Sequence, residues 1–253
     1  MCEGYSHALA GAVAGAAASL YVLHLPLPQT AALTALSAGA GILPDLDHPS
    51  ATLAHTFGFL TKAVAEIVGK VSGGHRHGTH SIVGAAFFTA LAALAVAFRP
   101  DIAGRIGLCV LLSLILAGGF CALHLARVFR RVCKAAGVSV STRAMNHAAD
   151  GAAILASVVM ASTGAGLGLV ATATGLGCAA HLAADGLTTE GIPVAWPLWN
   201  KHVGLPHPLS FTTGTWRERY LVAPALMLAL VFLALVALHV PLPHLVHGRL
   251  ALP

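Results

Sequence analysis

The stretch IGLCVLLSLILAGGFCALHLA, residues 106–126, contains no formally charged side chain. A helix of about 20 mostly apolar residues is long enough to cross the hydrocarbon core of a bilayer. Residues 81–98 and 221–240 form two further uncharged apolar stretches of similar length. These three stretches predict membrane-spanning helices.

The composition of the whole chain agrees with a membrane protein. Only 9% of its 253 residues are charged, 57% are hydrophobic, and the mean hydropathy is +0.81. An average soluble domain is about a quarter charged, so a soluble fold is excluded. The net charge of +5 comes from cations dispersed among the connecting loops, and nucleic acid is therefore not expected as a partner.

Hydrophobic patterning predicts an all-α fold, a polytopic membrane bundle of six to seven helices that forms a single integral membrane domain over residues 1–253. The apolar positions between residues 52 and 71 follow three-to-four spacing and predict an additional interfacial helix. The predicted bundle helices lie near residues 7–24, 30–44, 81–98, 105–126, 147–163, 165–184 and 220–240.

Three polar segments connect these helices, residues 45–80, 127–146 and 185–219. Counting membrane crossings places all three at one membrane face, here called face X, together with residues 1–6. Face X then carries eleven of the 14 Lys and Arg residues, whereas Arg99, Arg105 and Arg249 lie opposite. By the positive-inside rule, face X is predicted to be cytoplasmic.

The second predicted helix ends in the sequence PDLDH, residues 44–48. Asp45, Asp47 and His48 thus follow an apolar run at the membrane boundary, where burial of polar groups is costly unless something compensates. The alternative is a helix stop with solvated turn residues, since Pro and Asp are common there.

The sequence HRHGTHS, residues 75–81, precedes the third apolar helix. Its three imidazoles include His75 and His80. Histidine is the commonest side-chain metal ligand, and imidazoles mixed with carboxylates suit zinc, iron or manganese. A polar helix start capped by Ser81 or Thr79 is the alternative, but it leaves the histidines unexplained.

Two predicted helices carry polar pairs with helical spacing. His181 and Asp185, at the end of the sixth helix, are one turn apart, so that both side chains can reach one ion. At the start of the fifth helix, His147 and Asp150 are three residues apart and Asn146 precedes them.

All of these groups fall at the face X ends of helices, as does His7 at the start of the first helix. Their convergence predicts a divalent metal site at that face, with zinc favoured and manganese, iron or magnesium as alternatives. The candidate ligands are His7, Asp45, Asp47, His48, His75, His80, His147, Asp150, His181 and Asp185.

The ordered motifs Ser6-His7, PDLDH, HRHGTHS and His181-x-x-x-Asp185, followed by Gly191 and Trp196-Pro197, resemble the YdjM-like family. That family is described as LexA-regulated, inner-membrane-associated and expected to consist of metal-dependent hydrolases. More distantly, the order of His and Asp residues is similar to that of the zinc-dependent phospholipase C and P1 nuclease group. This second resemblance implies ligands at His7, Asp45 or Asp47, His80, Asp150, His181 and Asp185, although Asn146 stands where that group has a histidine.

The resemblance and the motifs together imply a hydrolase in the inner membrane that cleaves a lipid or membrane-associated phosphoester with metal-activated water. Asp47 is the expected proton acceptor, and Arg76 is the expected phosphate clamp. Two alternatives stay open. One is a metal ion transporter or sensor, and the other is a non-catalytic membrane protein whose metal site joins helix ends.

Overall fold

A computed structural model of the chain describes residues 3–239. Over this range the fold is all-α, as predicted, with nine α-helices and no β-strand. The helices are α1 (Gly4–Tyr21), α2 (Leu27–Ala40), α3 (Phe59–Val71), α4 (Ile82–Ala97), α5 (Ile102–Ala122), α6 (Leu125–Ala135), α7 (Thr142–Thr163), α8 (Val170–Gly186) and α9 (Ala223–Ala237).

Four helical segments of the described chain are long and apolar enough to cross a membrane, and α4 is a shorter apolar helix. Large apolar side chains on their surfaces, such as Phe87, Leu155 and Leu228, are exposed. Such a surface is unfavourable in water and matches the hydrocarbon interior of a bilayer. The four segments are Ile102–Ala122, Thr142–Thr163, Leu167–Gly186 and Glu218–Ala237.

Helices α1, α2 and α8 pack together in the interior, and α2 also contacts α5. Glycines let their backbones approach closely. A Cβ atom at Gly11 would overlap the carbonyl oxygen of Ser37, and a Cβ atom at Gly39 would overlap that of Ile115. Small residues at such contacts are typical of helix packing in membranes, and the Gly-rich and Ala-rich α1 is largely buried.

The interfacial helix begins later than predicted. Residues Leu53–His55 form a short 3₁₀-helix, and α3 starts only at Phe59. Gly58 separates the two with a φ of 66°, a conformation that glycine adopts readily and that a right-handed helix does not contain. The apolar spacing of residues 52–71 therefore continues across a break in the backbone.

The segment 127–146 was predicted as a polar connection, but it contains most of α6 and the start of α7. His124 has a φ of 54°, so α5 ends and a new helix starts after the turn. Ser141 caps α7 by accepting a hydrogen bond from the Ala144 N–H at 3.1 Å. Residue 240, the predicted end of the last helix, and Arg249 lie outside the described residues.

The close packing of α2 on α5 predicts a specific sensitivity. Gly39→Ala forces the two backbones apart and should lower the free energy of unfolding by about 1–3 kcal/mol, the usual cost of overpacking. Gly107→Ala is the matched control, because a Cβ atom there meets no other atom within 4 Å. Thermal unfolding in detergent would compare the two variants, and equal midpoints would contradict the packing.

Candidate metal centre

The helical part of the centre comes from α1 and α8. His7 lies in the first turn of α1, and His181 and Asp185 lie one turn apart at the end of α8. All three side chains are fully buried. Because α1 packs against α8, the rings of His7 and His181 stack with centroids 3.6 Å apart. Nε2 of His7 lies 3.4 Å from Oδ1 of Asp185.

Two short 3₁₀-helices bring in the other groups. Asp45 lies in Pro44–Asp47, which follows α2 and begins with a proline whose ring fixes φ. His80 lies in Gly78–His80, directly before α4. Ser81 caps α4 by accepting a hydrogen bond from the Gly84 N–H at 3.1 Å, so the cap considered as the alternative role of this segment is present beside the histidines.

The atoms of these five residues form two overlapping buried groups, His7–Asp45–His181 and His80–His181–Asp185, that share His181. Nε2 of His181 lies 3.7 Å from Oδ1 of Asp45 and 3.5 Å from Oδ2 of Asp185. Nε2 of His80 lies 3.4 Å from Oδ1 of Asp45 and 3.6 Å from Oδ2 of Asp185. Ligands about 2.0–2.2 Å from a zinc ion are separated by comparable distances, so the cluster could hold a metal ion.

Unsatisfied polar atoms point to the same conclusion. Nε2 of His7, His80 and His181 and Oδ1 of Asp45 are buried, and none has a hydrogen-bond partner within residues 3–239. Leaving one buried polar group unsatisfied costs about 1–3 kcal/mol. A divalent cation in either of the two groups His7–Asp45–His181 and His80–His181–Asp185 would satisfy several of these atoms, and mixed nitrogen and oxygen donors suit zinc, manganese or iron.

Neighbouring groups orient two of the imidazoles. Nδ1 of His181 lies 2.7 Å from the Gly41 carbonyl oxygen and must donate to it. The Thr79 hydroxyl donates to Oδ2 of Asp47 and so accepts from Nδ1 of His80, 3.0 Å away. Both rings therefore keep a proton on Nδ1 and direct Nε2 toward the cluster, an arrangement common around bound metals.

Asp47 and His75 form an outer pair beside the buried cluster. Nδ1 of His75 lies 2.7 Å from Oδ1 of Asp47, and the Arg76 backbone N–H donates to Oδ2. The ring of His48 contacts that of His75 edge-on, with centroids 4.6 Å apart. Asp47, His75 and His80 also form a group that could hold a metal ion.

The charges of the centre shift the pKa values of its loop residues. Burial raises the pKa of Asp45, but the neighbouring His181, His80 and His7 outweigh it, and the net pKa lies below the usual range. The pKa of Asp47 is lowered in the same way by His75 and His80. Burial lowers the pKa of His80, but the contacts of this residue with Asp45 and Asp47 outweigh that effect and raise the pKa to about 9.

Arg76 is a buried connector between α8 and the loop that follows it. Its φ of 60° is rare for a residue with a side chain. Nη1 lies 2.8 Å from Oε2 of Glu190 and donates to the Gly191 carbonyl oxygen at 3.2 Å, while Nη2 lies 3.4 Å from Oδ1 of Asp185. The guanidinium therefore holds Asp185 and the loop together.

The structure does not bring His147 and Asp150 to the cluster. Both lie on α7, which packs against α5 and α6. The side chain of His147 is 74% exposed and pairs only loosely with Asp150, at 3.9 Å. A ligand role for these two residues stays a prediction from the sequence that the geometry of the cluster does not support.

Sequence reasoning missed three groups that shape the centre: Thr79 as an orienting group, the Gly41 carbonyl and Glu190. Thr79 was considered only as a helix cap. A backbone carbonyl such as that of Gly41 leaves no mark in a sequence. Glu190 stands alone in a loop, and only the folded chain shows that it meets Arg76.

Comparison with known families identifies the family of the chain. Residues 1–127 match the family described as YdjM inner membrane protein. The chain belongs to this family. The matched half includes His7, Asp45, Asp47 and His80, whereas His181 and Asp185 lie beyond it. No curated protein and no solved structure matches the chain. Family membership thus identifies an inner membrane protein and leaves its chemistry to the site.

Replacement of one buried ligand should remove the metal. His181→Ala is expected to lower the affinity for Zn²⁺ by at least about 100-fold, since loss of outer-shell partners alone costs 10–100-fold. His55→Ala is a matched control, because His55 is exposed and lies outside the cluster. His147→Ala should also leave affinity unchanged. Metal content and titration calorimetry of the detergent-purified protein would measure this, and unchanged affinity in His181→Ala would contradict the centre.

A bound cation would compete with a proton for Nε2 of His80. The pKa of about 9 means that the metal-free imidazole is protonated at neutral pH, and this proton must leave when a cation binds. Affinity should therefore rise about tenfold per pH unit between roughly pH 6 and 8 and level off above about pH 9. Calorimetry in buffers of different ionisation enthalpy would detect the released proton, and a pH-independent affinity would argue against His80 as a ligand.

Proposed function

We propose that this inner membrane protein is a metal-dependent hydrolase that cleaves a lipid or membrane-associated phosphoester. The observation that carries the proposal is the convergence of buried, hydrogen-bond-deficient Nε2 and Oδ1 atoms from α1, α8 and two short 3₁₀-helices. Zinc is the favoured ion. The residues that would hold it are His7, Asp45, His80, His181 and Asp185.

A divalent ion held by these residues would lower the pKa of a bound water toward neutrality and would stabilise charge on phosphoryl oxygens. The protein must then accept the water's proton. Asp47 was the expected acceptor, but it contacts His75, and the two residues would share this role. Because Nδ1 of His75 donates to Oδ1 of Asp47, Nε2 of His75 is left as the acceptor and Asp47 stabilises the resulting imidazolium.

Arg76 would hold a phosphate oxygen of the substrate. Its present partner Glu190 has a side chain that is 62% exposed, so a phosphate could displace this carboxylate with little rearrangement. Nη2 would stay on Asp185 and keep that ligand in place. A guanidinium can form two parallel hydrogen bonds to a phosphate, which suits it to this substrate class.

Access to the centre favours catalysis over a purely structural metal. A cavity of about 320 Å³ is lined by Asp45, Glu3 and Tyr5, among others. A second one is lined by Asp47, His48 and His75. A metal that only joined helix ends would not need openings on two sides. The ligands also gather at one end of the helices, whereas an ion pathway would continue across the bilayer.

The proposal includes a multi-pass arrangement with the centre at the cytoplasmic face. The starts of α1 and α4 and the end of α8 meet at the centre, as expected if these ends share one membrane face. The concentration of Lys and Arg at face X supports a cytoplasmic position. A substrate in the inner leaflet would then reach the cavities laterally.

The test is hydrolysis by metal-replete protein in detergent. We expect cleavage of bis(p-nitrophenyl) phosphate or of a fluorogenic phospholipid, stopped by chelation and restored by Zn²⁺ or Mn²⁺. His181→Ala should abolish turnover, and His55→Ala should retain it. Full turnover in His181→Ala with metal still bound would overturn the assigned site.

One further variant separates the two roles of Arg76. Arg76→Gln with metal retained and KM raised at least tenfold would indicate phosphate binding. Loss of metal together with turnover would instead indicate that Arg76 acts by positioning Asp185. Metal uptake into proteoliposomes without hydrolysis would replace the hydrolase proposal with transport.

A further inference from the structure

Helix α6 has a fixed place relative to the bilayer. It follows α5 and precedes α7, and both of these are segments long and apolar enough to span a membrane. The turn at His124 redirects the chain between α5 and α6. In the multi-pass arrangement proposed above, on which this inference rests, the helix between these two spans lies at one membrane face, near the headgroups.

The two faces of α6 differ sharply. Val128, Phe129 and Val132 are 50–61% exposed, and helical spacing places all three on one side of α6. The protein therefore covers only part of the apolar face. The opposite side consists of cations at three-to-four spacing, Arg127, Arg130, Arg131 and Lys134.

The cationic side also borders a cavity. The cavity has a volume of about 490 Å³ and is lined by Arg130, Arg131, Lys134 and the turn at residues 137–140. None of its lining residues is acidic. Within residues 3–239, no carboxylate lies within ion-pair distance of these three cations. The positive charge thus faces a concave space without an internal counter-ion.

We infer that α6 and the turn at residues 137–140 form a binding site for the phosphate headgroup of an anionic phospholipid of the host membrane. The exposed apolar side chains enter the acyl region, and the cations meet the phosphate at the level of the headgroups. Amphipathic helices with basic polar faces bind membranes in this way, and each cation near an anionic leaflet adds to the attraction. The site is separate from the metal centre and does not depend on the proposed hydrolysis.

Charge complementarity selects this occupant. A zwitterionic lipid offers its phosphate together with an ammonium group, which the three cations would repel. Phosphatidylglycerol offers a phosphodiester without a compensating cation. The exposed Val128, Phe129 and Val132 on the opposite side anchor α6 in the bilayer, which puts the cations at the level of the lipid phosphates, so the ligand is a lipid rather than a soluble anion.

Native mass spectrometry of the full chain in detergent would test the site. Dioleoyl phosphatidylglycerol should bind at least tenfold more tightly than dioleoyl phosphatidylcholine, and the difference should shrink as salt rises. The variant Arg130→Gln/Arg131→Gln/Lys134→Gln should lower the ratio of the two lipid affinities below about threefold. The variant Lys62→Gln/Lys70→Gln/Lys201→Gln removes the same charge elsewhere at face X and should keep the preference.

Three results would overturn the inference. Equal binding of the two lipids by the unaltered protein would exclude a selective site. An equal loss of the phosphatidylglycerol preference in both triple variants would indicate a general effect of charge. Competition by millimolar inorganic phosphate at constant ionic strength would indicate a soluble-anion site. If the α6 triple variant does not fold, Arg131→Gln alone should still halve the preference, and an unchanged preference would contradict the site.

Discussion

The burial of imidazoles and carboxylates among apolar helices is the constraint on which the structure depends. His7, Asp45, His80, His181 and Asp185 are at most 4% exposed, in a protein whose other interior contacts are mainly Ala, Leu and Gly. Such groups are tolerated there only when they compensate one another or share a cation. The helix ends that carry them must therefore meet at one level.

That requirement explains the small residues of the interior. For His7 and His181 to stack at 3.6 Å, α1 and α8 must approach closely over their adjacent turns. Gly11 and Gly39 allow the necessary contacts with α2 and α5. The polar centre and the glycine contacts are thus two parts of one arrangement, since neither the ligands nor the backbones could move apart independently.

Much of the fold and of the centre could be predicted from local sequence. Uncharged stretches of about 20 residues are sufficient to identify α5 and α9, because the bilayer thickness sets their length. The polar residues at the ends of apolar runs identified Asp45, His80, His181 and Asp185, because an ionisable group at such a position needs a compensating partner. Helical spacing alone placed His181 and Asp185 on one face.

The remaining features depend on tertiary contacts. His147 and Asp150 have nearly the same spacing as His181 and Asp185, yet α7 packs against α5 and α6 and does not face α1. Helix α6 was missed because four cations in eleven residues are typical of a polar loop, and the apolar side of the segment was not considered. The break at Gly58 depends on a backbone angle that the surrounding apolar spacing conceals.

The candidate ligands come from distant parts of the chain, so the centre can form only when the bundle is nearly complete. His7 belongs to the first helix, and His181 and Asp185 belong to the eighth. Residues 1–127, which match the family model, supply His7, Asp45 and His80 but lack the two candidate ligands of α8. A chain that stops within this half can present at most a partial ligand set. The candidate ligand set is therefore complete only after nearly the whole bundle has been synthesised and packed.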